Sequence, residues 1–180
     1  MLSKCNNYIM ENVYQNIDPV TQTEIIDLWT TARVLDSQGA ENRVHEVLFT
    51  IKNSSGLLCG VNTVYVDSFM AKGNYYYYMR AFIRSEDRGV SGLLLSLSTK
   101  TISFLETYRS SASSPKGILI IAENQKIWRK GYRRYLGRHG WNYLGMGPKG
   151  NHVWYYNFDR SLMPADIVLR FQPRQPNPFT

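Results

Sequence analysis

The segment 75–109 constrains the fold more than any other part of the chain. It begins with an aromatic, β-prone run over 75–83, passes through a charged turn and the small residues Gly89, Ser91 and Gly92, and continues with apolar residues at helical spacing. This order predicts strand, tight loop and helix. The first N–H groups of a helix lack internal partners and small residues admit a phosphate, so the loop is a candidate anion site. The alternative is a connection whose small residues serve only packing.

Before this segment, periodicity and turn residues predict three further strands and one helix. The predictions are a strand at Tyr8–Ile17, a helix at Val20–Leu35 started by Asp18-Pro19, a mobile polar loop at Asp36–Asn42, and strands at Val44–Lys52 and Leu57–Asp67. The turn Asn53–Gly56 joins the last two strands as a hairpin. Together with 75–83 they form an antiparallel meander.

After this segment, a compact apolar run predicts a buried strand at Gly117–Glu123. A basic helix follows from about Gln125 to Arg138, then a hairpin of 141–144 and 152–159. Because a helix separates 75–83 from 117–123, these two strands should run parallel. The predicted fold class is therefore α/β (α+β), with a mixed, mostly antiparallel sheet, helices on both faces and one parallel strand pair.

Length and composition predict one domain over residues 1–160 and a proline-rich, extended tail over 161–180. Cys5 and Cys59 are too few for a disulfide framework and too isolated for a zinc site, so we expect reduced thiols and no metal. The sequence shows neither a secretory signal nor an apolar run long enough for a membrane span, which favours a cytoplasmic location and no membrane contact.

Charge is concentrated in one region. No Asp or Glu occurs over 124–158, whereas this stretch holds seven Lys and Arg residues, as many as the whole net charge of +7. Such asymmetry favours an anionic partner, RNA or an acidic protein, although a solvated helix face is an equally good interpretation. The residues proposed to contact the partner are Lys126, Arg129, Lys130, Arg133 and Arg134.

The element order and two short motifs resemble the GNAT superfamily of acyl-CoA-dependent N-acetyltransferases. The resemblance covers roughly 8–159. In that family a [Q/R]-x-x-G-x-[G/A] loop after the central strand holds the coenzyme A pyrophosphate, and a later motif combines an Asn, a helix with a Tyr, and a Gly-aromatic pair. The late motif matches here at Asn124, Tyr135 and Gly140-Trp141.

The resemblance implies acetyl-CoA as co-substrate and a set of cofactor-binding residues. They are Phe82, Ile83, Arg84, Arg88, Gly89, Val90, Ser91, Gly92 and Asn124. Two registers fit the loop motif. One places Glu86 at the Gln/Arg position and Ser91 at the last small position, and the other keeps Arg88 but leaves Leu93 where a small residue is expected. The first is preferred because a leucine side chain would crowd a phosphate.

Acyl transfer from a thioester to an amine needs a donor for the oxyanion and an acid for the leaving thiolate. The resemblance assigns the first role to a backbone N–H at Phe82, Ile83 or Arg84. Tyr135 is the candidate general acid, because a phenol is protonated at pH 7. Tyr132 is a rival one turn earlier, and packing alone would also explain Tyr135. No side chain stands out as a general base.

Two functions follow from the sequence. The first is an acyl-CoA-dependent N-acyltransferase acting on an amine of a protein, a small molecule or an aminoacyl-tRNA. The second is a non-catalytic module of the same fold that contacts nucleic acid or a protein through the basic helix, which the imperfect loop motif favours. The resemblance is compatible with a homodimer, and the sequence leaves the acceptor and the oligomeric state open.

Overall fold

A computed structural model describes residues 7–90, 92–109, 115–122, 130–147 and 149–171. The strands are β1 (Tyr8–Asn12), β2 (Val47–Asn53), β3 (Leu58–Ser68), β4 (Tyr75–Ile83), β5 (Gly117–Ala122), β6 (Asn142–Met146) and β7 (His152–Asn157). The helices are α1 (Pro19–Thr31), α2 (Ser37–Arg43), α3 (Leu93–Tyr108), α4 (Lys130–Arg138) and α5 (Ala165–Phe171).

Within the described ranges, seven strands form one sheet in the order β1-β2-β3-β4-β5-β7-β6. The pairs β1–β2, β2–β3, β5–β7 and β6–β7 are antiparallel, and β4–β5 is the parallel pair. This confirms the predicted fold class and the predicted bounds of β4. Strand β5 begins where predicted, and Glu123 lies outside the described residues.

The chain divides into two compact units, Met1–Tyr65 with Met79–Tyr108 and Val66–Tyr78 with Arg109–Thr180. In the first unit helices cover both faces of the strands. Val61 packs with Ile25 and Trp29 of α1, whereas the neighbouring Asn62 accepts a hydrogen bond (3.4 Å) from Thr101 of α3. Successive strand residues point to opposite faces, so the two helices lie on opposite sides of β3.

In the second unit the core lies between β5, β6, β7 and α5. Phe171 of α5 stacks on Phe69, and Met163 is buried among the same aromatic and aliphatic side chains. The prediction of an extended tail from residue 161 is therefore wrong over Ala165–Phe171, which forms a helix with a buried apolar end. Residues 172–180 lie outside the described ranges, and the domain bounds stay a prediction.

The predicted mobile loop over 36–42 is also wrong, because most of it forms α2. The side chain of Asp36 accepts a hydrogen bond from the Gly39 N–H (2.7 Å) and so caps the helix. Ala40 and Val44, one helical turn apart, are fully buried against α1. Two buried apolar residues and a cap suffice for a short helix whose composition otherwise suggests a turn.

Helix α4 ends in a Schellman motif that explains the Gly-aromatic pair. The Trp141 N–H donates to the Leu136 carbonyl (3.1 Å) and the Gly140 N–H to the Gly137 carbonyl (3.3 Å), with Gly140 at φ +81°. Leu136 and Trp141 are both buried, which completes the apolar contact of this motif. The pair therefore has a structural role at the helix end.

Two boundaries differ from prediction at the start of the chain. Strand β1 ends at Asn12, five residues early, and α1 ends at Thr31. Asp18 caps α1 through its side chain, which accepts from the N–H groups of Val20 and Thr21, so the predicted start signal is confirmed. Among the described residues, no helix is at once long and apolar enough to cross a membrane.

Alanine at Gly137, inside α4, and at Gly140, just after it, should change the free energy of unfolding in opposite directions. Gly140→Ala forces a side chain into a left-handed conformation, with its Cβ only 2.7 Å from Arg160 Nη1. We expect unfolding stability to fall by about 1 kcal/mol or more. A Cβ at Gly137 meets nothing within 4 Å, so Gly137→Ala should be neutral or stabilising by up to about 1 kcal/mol. Urea unfolding of both variants measures the difference, and equal effects would contradict the assigned cap.

Candidate functional site

The end of β4 lies unusually close to β3. A Cβ placed on Gly60 would approach the Phe82 carbonyl oxygen to 2.5 Å and the Ile83 Cα to 3.1 Å, so glycine is required there. The Arg84 N–H donates to the Cys59 carbonyl at 2.9 Å. The amide of Arg84 is thus engaged in pairing with β3.

A short 3-10 turn, Ser85–Asp87, follows β4. The carboxylate of Asp87 accepts the hydrogen bonds that connect this turn to its surroundings. Asp87 Oδ2 accepts from Arg84 Nε (2.9 Å) and Nη2 (2.7 Å), and Oδ1 accepts from Tyr8 Oη (2.7 Å). We call Tyr8, Arg84 and Asp87 the Asp87 clamp. Asp87 is only 7% exposed, and hydrogen bonds from Tyr8, Arg84 and Cys59 stabilise its charge.

The clamp shifts the pKa values of its members in the directions expected for this geometry. Burial would raise the pKa of Asp87, but the hydrogen bonds from Tyr8 and Arg84 outweigh it, so the pKa is lowered. The hydrogen bond to Asp87, with burial, raises the pKa of Tyr8 to about 12. The contribution of Asp87 to stability is therefore present above the unfolded pKa, near 4, and is lost as pH falls through the folded pKa.

The predicted cofactor loop follows directly. Arg88 is exposed, donates from Nε to the Ile83 carbonyl (2.7 Å) and lies with its guanidinium 5.7 Å from the Phe82 ring centre. Gly89 is exposed, and a Cβ there would meet nothing within 4 Å. Gly92 has φ +85° and its carbonyl accepts the first α3 bond from Ser96, so it caps the helix without a side chain. Ser91 lies outside the described residues.

The position of Leu93 bears on the two registers of the loop motif. Leu93 opens α3 and is 1% exposed, so its side chain points into the core. It would therefore not crowd a phosphate on the outer side of the loop, and the reason for preferring Glu86 over Arg88 disappears. Glu86 itself is exposed, and hydrogen bonds from its own backbone and from Ser85 lower its pKa. Both registers remain predictions, because Ser91 lies outside the described residues.

Tyr135 belongs to the second unit and is held at the end of α4. Its ring stacks on that of His139, with ring centres 3.9 Å apart and planes 10° apart, and His139 Nδ1 lies 2.9 Å from the Tyr135 carbonyl oxygen. Partial burial raises the pKa of Tyr135, so the phenol remains protonated at neutral pH. Its protonated hydroxyl is able to donate a hydrogen bond.

The basic helix is described only in part. Arg133, Arg134 and Arg138 of α4 are exposed, and the helix carries no acidic residue. Asn124, Lys126 and Arg129 lie outside the described residues, and so do the side chains of Lys130 and Tyr132. The exposure of these arginines agrees with the predicted contact surface. The surface otherwise stays a prediction.

Sequence reasoning missed the Asp87 clamp. Asp87 was one acidic residue in a charged turn, and Tyr8, 79 positions earlier, belonged to a mixed-polarity strand. The only local signal was the Arg84–Asp87 spacing of three residues, which suits an ion pair in a helical turn. In the described ranges, no group of three or more His, Cys, Asp and Glu side chains is arranged to hold a metal ion.

Solved structures of similar fold cover most of the chain. A GCN5-related N-acetyltransferase from Kribbella flavida has a TM-score of 0.58 and 11% identity, over 84% of this chain and 98% of its own. A GNAT-family acetyltransferase from Listeria monocytogenes has a TM-score of 0.56 and 16% identity, over 87% and 98%. No protein-family model and no curated protein matches the sequence.

A third similar structure is a mutant of the toxin AtaT bound to acetyl-CoA and to the C-terminus of the antitoxin AtaR. It has a TM-score of 0.55 and 14% identity, over 93% of this chain and 100% of its own. At such identities the likeness concerns the fold alone. The chain has the fold of the GNAT superfamily, as its element order predicted.

Proposed function

We propose that this protein is an N-acyltransferase that transfers an acetyl group from acetyl-CoA to an amine. The observation that carries the proposal is the loop between β4 and α3. It presents exposed Arg88 and Gly89 and a glycine N-cap ahead of the first N–H groups of a sixteen-residue helix. Helix N-termini of this kind attract phosphate, and the fold is that of acetyltransferases, one of them solved with acetyl-CoA.

The residues present fit the phosphates of acyl-CoA. Gly89 leaves open space where a side chain would stand, and Arg88 is the exposed cation of the loop in its described part. Arg84 is less suited, because Nε and Nη2 of its guanidinium are committed to Asp87. In this proposal Arg88 to Gly92 hold the pyrophosphate, and the backbone of Phe82 and Ile83 orients the rest of the ligand.

Acetyl-CoA, when bound, supplies a thioester as the acetyl donor. Tyr135 holds a proton on Oη at neutral pH and would deliver it to the sulfur that leaves. Asn124 keeps its proposed place in cofactor binding. The amine acceptor is a protein, a small molecule or an aminoacyl-tRNA, and the described residues favour none of these.

The first prediction concerns the loop. Gly89→Asp places a carboxylate against the phosphates, so the Kd for acetyl-CoA should rise about tenfold or more, equivalent to roughly 1.4 kcal/mol. Gly89→Asn is the control of equal size without charge and should weaken binding less. Calorimetry and thermal shift with acetyl-CoA measure both. If the folded wild type binds no acyl-CoA, the enzyme proposal is wrong.

The second prediction concerns Tyr135. Tyr135→Phe keeps the stack on His139 and removes the proton donor, so kcat should fall by about a hundredfold while KM for acetyl-CoA stays constant. Tyr143→Phe, a second half-buried tyrosine of the same unit, is the control and should keep activity. The readout is CoA release with a panel of peptides, small amines and aminoacyl-tRNAs. An unchanged kcat in Tyr135→Phe would remove Tyr135 from the mechanism.

A second candidate function is binding of an anionic macromolecule by α4, supported by the exposed arginines and the absence of acidic residues on this helix. The neighbour AtaT is described as bound to an antitoxin, which makes a protein partner as reasonable as RNA. This function would hold whether or not acetyl transfer occurs.

Salt dependence tests this candidate. Arg134→Gln with Arg138→Gln removes two charges from α4, so the slope of log K for RNA against log salt should become shallower by about two. Lys72→Gln with Lys100→Gln removes two exposed charges elsewhere and should leave the slope unchanged. If the wild type binds no RNA at low salt, a pull-down that loses a protein in the α4 variant would identify the partner as protein. Identical behaviour of the two double variants would exclude α4 as a contact surface.

A further inference from the structure

We infer that Asp87 is the positioning residue of the acyl-CoA loop and that Tyr8, on the first strand, acts on the loop through it. The inference rests on the proposed function, because it takes the loop with Arg88, Gly89 and Gly92 as the phosphate site. It goes beyond that function by assigning roles to two residues that would touch neither phosphate nor thioester.

Asp87 connects the loop to the sheet through both its side chain and its main chain. Its carboxylate accepts three hydrogen bonds of 2.7–2.9 Å from Tyr8 and Arg84. Its N–H donates to the Arg84 carbonyl (3.0 Å), and its carbonyl accepts from the Val90 N–H (3.2 Å). The carbonyl of Val90 in turn accepts from Leu93, the first residue of α3 (3.4 Å). A continuous chain of contacts thus runs from the carboxylate to the start of the helix.

Tyr8 anchors this chain to a distant part of the sequence. It lies at the start of β1, opposite Asn53 of β2, and two strands separate β1 from β4 in the sheet. The Tyr8–Asp87 hydrogen bond spans 79 residues and involves a largely buried charge, which makes it stronger than a bond between neutral groups. A loop fixed in this way would bind a phosphate without first losing conformational freedom.

Because Asp87 is negatively charged, the inference can be tested by whether removing this charge weakens or tightens acetyl-CoA binding. A carboxylate beside a phosphate site repels the ligand, so if charge alone mattered, its removal would tighten binding. If Asp87 positions the loop, replacing it by Asn must weaken binding, because the amide keeps one accepting oxygen for two donor side chains and turns an NH2 donor towards the other. Glu86, the adjacent residue, supplies the control, because its exposed carboxylate has Ser85 as its hydrogen-bond donor and no distant contact among the described residues.

The experiment compares Asp87→Asn with Glu86→Gln by calorimetric titration of acetyl-CoA. Each variant removes one negative charge from the same turn. We expect the Kd to rise about tenfold or more for Asp87→Asn, as for loss of a hydrogen bond to a charged group. For Glu86→Gln it should stay constant or fall. With an accepting amine, Asp87→Asn should raise KM for acetyl-CoA and leave kcat at saturation unchanged.

A second pair of variants tests the inference in case Asp87→Asn does not fold. Tyr8→Phe removes a hydroxyl that donates to Asp87 Oδ1 at 2.7 Å. Tyr76→Phe removes a hydroxyl that donates to Asn157 Oδ1 at 2.9 Å. Only Tyr8 belongs to the clamp. Tyr8→Phe should therefore weaken acetyl-CoA binding, whereas Tyr76→Phe should lower the melting temperature without changing the Kd.

The outcomes separate this inference from the proposed function. If wild type binds acetyl-CoA and both Asp87→Asn and Tyr8→Phe bind it as tightly as their controls, the positioning role is wrong and the function stands. If wild type binds no acyl-CoA, the proposed function fails and the inference fails with it. If Asp87→Asn does not fold, Tyr8→Phe against Tyr76→Phe decides the question.

Discussion

The turn after β4 depends on compensation of one buried carboxylate. Asp87 is almost fully shielded from water, and an unpaired charge in such a place would cost several kcal/mol. Tyr8 and Arg84 supply its hydrogen bonds, so the turn, the strand before it and the first strand of the chain are held in one arrangement. The start of α3 is connected to this turn through the Val90 N–H, which donates to the Asp87 carbonyl, and the Leu93 N–H, which donates to the Val90 carbonyl.

Residues that a motif groups together divide here between structural and ligand-binding roles. Arg84 is the counter-ion of Asp87, Leu93 is a core residue, and Gly140 with Trp141 ends α4 as a helix cap. Arg88 and Gly89 are exposed, and the proposed phosphate contact depends on them.

The proposed phosphate loop and the proposed acid Tyr135 are supported by different kinds of observation. At the loop, backbone geometry and open space argue for a phosphate. At Tyr135, burial and the stack on His139 argue for a protonated phenol with a fixed ring. The exposed arginines of α4 are the observation on which the proposed anionic partner depends.

The sequence by itself determined the order of the seven strands, the bounds of β4 and the parallel pairing of β4 with β5, because hydrophobic periodicity and turn residues are local signals. It also suggested the loop between Arg88 and Gly92 as a phosphate site, which stays a prediction. It mistook α2 for a loop and α5 for an extended tail, because both helices are stabilised by burial of a few side chains such as Ala40 and Phe171 against distant residues. Only the tertiary structure decided that Tyr8 meets Asp87 and that Leu93 points inward, since a contact across 79 residues leaves no periodic signal in the chain.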